Sequence, residues 1–143
     1  MERWAGALFL VAAGAHGFLT PAHFEEWWGY GLFFLFASAL QAVWGLALLT
    51  HAINPKDAGP HWRRMTTGVY GLGILGSVVA ITVYVVTRTV GIPGLGPEGI
   101  TREPEVGIID VVTKAAEAVT VVLLAVLLRR HLARPADATG QAG

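Results

Sequence analysis

Residues 27–50 read WWGYGLFFLFASALQAVWGLALLT, and Gln41 is the only strongly polar side chain in the run. About 20 consecutive apolar residues are enough to cross the hydrocarbon core of a bilayer as a helix. Backbone N–H and C=O groups in lipid have no water to bond, so a spanning segment must satisfy them internally, as an α-helix does. A transmembrane β-barrel would need alternating strands of roughly ten residues, and that alternation is absent here. Trp27, Trp28 and Tyr30 gather at one end of the run, where amphipathic rings favour the membrane–water interface.

Three further runs extend this reading along the chain: Trp4 to Leu19, which is short; Met65 to Thr87, rich in Gly and β-branched residues; and Gly107 to Leu128, which contains Asp110, Lys114 and Glu117. The expectation is an all-α, four-transmembrane-helix bundle with helices at about 4–19, 27–50, 65–87 and 107–128. It forms one membrane domain over 1–134, with a disordered Ala/Gly-rich tail at 135–143. Composition agrees, because 54% of the 143 residues are hydrophobic and only 14% are charged, against about 25% charged in soluble domains. A chain this short could not hide that much apolar surface from water. Formal net charge is zero and there is no cysteine. Nothing therefore points to nucleic acid, and disulfides, thiolate metal sites and cysteine nucleophiles are excluded.

Arg3 ahead of an apolar stretch ending in Ala12-Ala13-Gly14-Ala15 resembles a secretory signal peptide. His16-Gly17-Phe18-Leu19 carries the run past any cleavage site, which favours a retained helix. Basic residues set the orientation. Arg3, Lys56, Arg63, Arg64, Arg129, Arg130 and Arg134 fall on one side of a chain that crosses four times, opposite Glu25, Glu26, Glu98, Glu103 and Glu105. Both termini are thus expected in the cytoplasm, and the protein in the cell membrane (a bacterial inner membrane) as a multi-pass chain. Thr20 is expected to cap the second helix, with Pro21 at its first position. The Gly- and Pro-dense connection from Arg88 to Val106 is expected to follow a definite path, Gly supplying positive φ and Pro fixing it.

Two polar constellations stand out, since a charge at a transmembrane helix centre costs roughly 2.5–3.5 kcal/mol. Asp110, Lys114 and Glu117 are spaced four and three apart, which places them on one helix face, with Gln41 near mid-depth on the second helix. The stripe reads equally as a buried clamp, headed by an Asp110–Lys114 pair, or as the lining of an ion, proton or ligand site; groups near the end could also snorkel to water. The second constellation is outward-facing: His16, His23, Glu26, Glu98 and Asp110. Imidazoles with carboxylates suit a divalent metal such as Zn²⁺, Fe²⁺ or Mn²⁺, although His-x6-His is not a ligand spacing and a structural role for each His stands beside it. Haem is disfavoured because only His16 lies well inside a span. Gly68, Gly71, Gly73 and Gly76 read as a small-residue packing face.

Gly14-Ala15-His16, Pro21-Ala22-His23-Phe24-Glu25-Glu26-Trp27, Gly31-Leu32-Phe33-Phe34 and Gln41 resemble a group of small four-helix bacterial membrane proteins of actinobacterial type. Thr87-Arg88-Thr89-Val90-Gly91-Ile92-Pro93, Gly96-Pro97-Glu98, Gly107-Ile108-Ile109-Asp110 and Glu117 resemble the second half of the same group. The resemblance covers most of the chain and implies a four-helix membrane protein, but no activity. It implies that His16, His23, Glu26, Glu98, Asp110 and Glu117 belong to a recurring pattern. The expected functions are a binding or transport module using the outward-facing site and the polar stripe, a non-catalytic subunit whose polar face packs on a partner or second copy, or a small membrane metalloenzyme or redox protein.

Overall fold

The computed structural model describes residues 1–52, 60–94, 96, 100–101 and 105–133. Four helices carry the chain: α1 (Glu2–Glu26), α2 (Trp28–Leu49), α3 (Pro60–Thr89) and α4 (Ile108–Leu132). All four are long and apolar enough to cross a membrane. Between α3 and α4, β1 (Ile92–Pro93) pairs antiparallel with β2 (Ile100–Thr101), Ile92 opposite Thr101 and Pro93 opposite Ile100. Gly91, Gly94 and Gly96 in that connection all adopt positive φ, the conformation that glycine takes without a Cβ penalty. The tail at 135–143, together with Lys56, Glu98, Arg102, Glu103 and Arg134, lies outside the described residues.

The first helix is longer than its apolar run. It continues through Pro21 to Glu26 and stops at Trp27, whose extended backbone (φ −167°, ψ 135°) is the whole junction with α2. Thr20 therefore does not cap α2. Proline inside a helix removes one N–H and so leaves one carbonyl without its donor, a loss tolerated in membrane helices where Ser and Thr side chains bond nearby backbone. The Thr20 hydroxyl donates to the His16 carbonyl at 2.8 Å. At the other end of α2, His51 adopts φ 54°, and the Ala52 N–H closes on the Ala47 carbonyl at 3.2 Å, the six-to-one bond of a Schellman cap.

α1 packs along α2 and also against α4, α4 packs on α3, and α2 and α3 scarcely meet. Close approach of α1 and α2 rests on two glycines. A Cβ on Gly6 would stand 2.8 Å from the Gly45 carbonyl, and one on Gly45 would stand 2.8 Å from Leu10. The glycines of α3 behave otherwise. Gly73 abuts Leu124 and Trp44, but a Cβ on Gly68, Gly71 or Gly76 would meet nothing within 4 Å. They do not form the expected packing face, because α2 does not close over that side of α3.

One end of the bundle is tied by side chains from α1, α3 and α4 and by His51 just past α2. Glu2 accepts from Tyr70 and pairs with His51. A ring nitrogen of His131 meets the Arg63 carbonyl, and Arg130 reaches Met1. Both ends of the described chain thus share one end of the bundle, with Arg3, Arg63, Arg64, Arg129 and Arg130 around them. Between the ends, burial is inverted relative to a water-soluble protein. Glu117, Thr120 and Ser77 are each 1% exposed, whereas Phe18 is 74% and Phe36 62% exposed. Monomeric soluble proteins rarely show so continuous an apolar exterior, and lipid is the solvent that fits it.

Candidate functional site

Glu117 is the polar centre of the bundle. Its Oε1 accepts from Gln41 Nε2 on α2 at 2.7 Å and lies 3.1 Å from His16 Nε2 on α1. Its Oε2 accepts from Lys114 Nζ, one turn earlier on α4, at 2.7 Å. The i,i+3 spacing on α4 makes that last contact local; the other two join helices 76 and 101 residues apart in sequence. Lys114 Nζ also lies 5.4 Å from the centre of the Tyr84 ring on α3, a cation–π distance, so all four helices converge here. Thr113 and Thr120, on the same face, donate to their own helix at Ile109 and Ala116 and add nothing to the cluster.

Asp110 is not Lys114's partner. Its Oδ2 accepts from Arg88 at the end of α3 and from the backbone N–H of Gly107, both at 3.0 Å. A carboxylate at the N3 position turned back on the N-cap N–H satisfies one of the orphan donors there. That bond turns it away from the Lys114 side of the helix. The stripe is thus two units, an Arg88–Asp110 tie at the helix ends and a Lys114–Glu117 pair deeper in.

His23 pairs with Glu26 at 2.9 Å on the same turn of α1. His16 and His23 do not converge. Seven residues separate them along one helix, about 10 Å of rise. Phe34 contacts both rings, with centroids 5.2 Å from His16 and 3.9 Å from His23. Among the described residues no group of three or more His, Asp or Glu is gathered so as to hold a metal ion. Glu98, the remaining candidate ligand, lies outside them. The divalent-metal expectation at His16, His23, Glu26, Glu98 and Asp110 therefore finds no support in the described geometry.

The geometry presents a cavity instead. A space of about 240 Å³ opens toward the end carrying Trp27 and Arg88, lined by His16, Tyr30, Phe34, Tyr84, Asp110 and Lys114 among others. His16 is 4% exposed, and among the described residues its Nδ1 is buried with no hydrogen-bond partner. With Glu117 as the carboxylate, Nε2 carries the ring proton and Nδ1 is left as an acceptor, a tautomer assigned from the network. A buried acceptor without a donor costs about 1–3 kcal/mol, so the site is one in which a donor is stabilising. Sequence reasoning did not find Arg88, Tyr84 or Phe34; the end-to-end placement of α3 and α4 is the signal that could have paired Arg88 with Asp110. Compared with family models, with curated proteins and with solved structures, the chain matches none.

Proposed function

We propose that this protein is a multi-pass protein of the bacterial inner membrane that binds a small polar solute from the outer side. The solute is a hydrogen-bond donor, an amine or an alcohol, and His16 Nδ1 is the group that takes it. The observation that supports this reading is the unpartnered, buried Nδ1 of His16, a residue held by Glu117 through Nε2 and lining a cavity. Resident charges around the cavity are paired, Arg88 with Asp110 and Lys114 with Glu117, so the ligand need not bring a counter-charge. The aromatic lining suits the face of a small ammonium group as well as a neutral alcohol. Orientation follows from the arginines collected at the end that holds Met1, which the positive-inside rule assigns to the cytoplasm. The cavity then faces outward, and both termini are cytoplasmic.

The test is nitrogen NMR of histidine-labelled protein in detergent, with His16→Gln used to assign the His16 signals. Titration with ammonium, ethanolamine and glycerol is expected to give, for at least one of the three, a saturable change confined to His16 Nδ1. Absence of a saturable change with all three overturns the proposal.

A further inference from the structure

A second cavity lies in the groove left where α2 and α3 scarcely meet. It has a volume of about 440 Å³, within the range of small-molecule pockets. Its α2 wall carries the rings of Phe33, Phe36 and Trp44, its α3 wall mixes Gly76, Ser77 and Ala80 with the larger Leu72, Leu75 and Val79, and no charged residue lines it. Two polar residues are among its lining, Gln41 and Ser77, and one side-chain atom of each is buried without a partner among the described residues: Gln41 Oε1 and Ser77 Oγ. Gln41 is 7% and Ser77 1% exposed. The Gln41 assignment is not arbitrary, because the carboxylate of Glu117 requires the Nε2 end. Ser77 is unusual in its own right. Thr67, Thr82, Thr113 and Thr120 each return the hydroxyl to the carbonyl four residues earlier, whereas Ser77 does not.

We infer that this groove binds a neutral, membrane-dissolved lipid of the phenol or hydroquinone type, its ring hydroxyl donating to Gln41 Oε1 and accepting from Ser77 Oγ. An acceptor and a hydroxyl donor on one groove are complementary to a hydroxyl, which offers both functions. An apolar groove with aromatic rings on one wall suits an aromatic ring, and about 150 Å³ already holds benzene, which leaves room for an alkyl tail. The absence of charge along the walls excludes a charged headgroup. A transmembrane helix, 10–12 Å across with its side chains, could place only side-chain tips in it. The inference stands apart from the His16 cavity, since it rests on different atoms.

The experiment measures binding of radiolabelled 4-decylphenol to the protein in lipid nanodiscs, against empty nanodiscs. Saturable binding near one per chain is expected. Ser77→Ala should weaken it about fivefold, the worth of a net hydrogen bond of about 1 kcal/mol, and decylbenzene should not compete. Gly76→Leu should abolish it while leaving the melting temperature at or above that of the parent, because a Cβ there meets no atom within 4 Å. Binding no greater than to empty nanodiscs, or binding unchanged in Gly76→Leu, overturns the inference. A change of oligomeric state in Gly76→Leu, read by light scattering, also overturns it, by making the groove a contact between copies of the chain.

Discussion

Neutralising Glu117 and Lys114 together should cost less than the sum of neutralising each alone. In Glu117→Gln the ammonium of Lys114 loses its carboxylate partner among the described residues, at 2.7 Å. Breaking a buried pair by removing one member typically costs 3–5 kcal/mol. Lys114 keeps 17% of its side chain exposed and retains the Tyr84 ring, so the lower figure, about 3 kcal/mol, applies. Lys114→Met leaves Glu117 with two donors, from Gln41 and His16, and should cost about 2 kcal/mol. In the double variant no charge remains, the new Gln keeps an oxygen for the same two donors, and the loss should be about 2 kcal/mol rather than the additive 5. Asp110 is left unchanged because it belongs to Arg88. At roughly 3 °C per kcal/mol for a chain of this size, Glu117→Gln should melt about 9 °C below the parent and the double variant about 6 °C below. Detergent-solubilised protein followed by circular dichroism gives the numbers. Additivity within about 0.5 kcal/mol, or single variants that melt with the parent, would mean that both side chains are solvated and that the convergence of four helices on Glu117 is wrong.

Three further outcomes check the fold around that centre. Cysteines introduced at His61 and at Val90, exposed positions at opposite ends of α3, should react with an impermeant maleimide from opposite sides of the membrane, Val90→Cys from outside; labelling from one side refutes the four-crossing topology. Gly45→Ala should destabilise by about 1–3 kcal/mol through overpacking, since its Cβ would meet Leu10 and the Gly6 carbonyl within 3 Å. Gly68→Ala, in open space, should be neutral or stabilising by up to about 1 kcal/mol, and equal melting shifts at both glycines would refute the helix packing. Asp110→Ala removes both the Arg88 bond and the Gly107 cap and should cost about 1–2 kcal/mol; a melting temperature unchanged from the parent would mean that neither bond is formed.

The helices were legible because apolar length alone dictates them, and Gln41 and Glu117, counted to the middle of their runs, are both buried inside the bundle. Boundaries were not legible where a local rule met a tertiary setting. Thr20-Pro21 has the residues of a helix start, yet the helix runs through it to Glu26, as a helix long and apolar enough to cross a membrane tolerates where neighbouring backbone bonds are kept inside it. Small-residue spacing marked α3 as a packing face, while the close glycine contact formed between α1 and α2 through Gly6 and Gly45. Spacing reports which residues share a face; it does not say which helix arrives to cover it.

The same distinction explains the site. Helical spacing placed Asp110, Lys114 and Glu117 on one stripe, and from the stripe alone Asp110–Lys114 and Lys114–Glu117 are equivalent pairings. What separates them is a competitor for Asp110, the Arg88 guanidinium, brought to the start of α4 by the turn that β1 and β2 close. Once Asp110 is held there, Lys114 is committed to Glu117, and Glu117 Oε1 is left for donors from α1 and α2. His16 and Gln41 supply one nitrogen each, and each is an ambident group whose second polar atom must then point elsewhere. Those second atoms, His16 Nδ1 and Gln41 Oε1, are two of the polar atoms left unpartnered among the described residues, and the two residues line different cavities. The pairing at the end of α4 therefore determines, through one carboxylate, which faces of two side chains remain available for ligands.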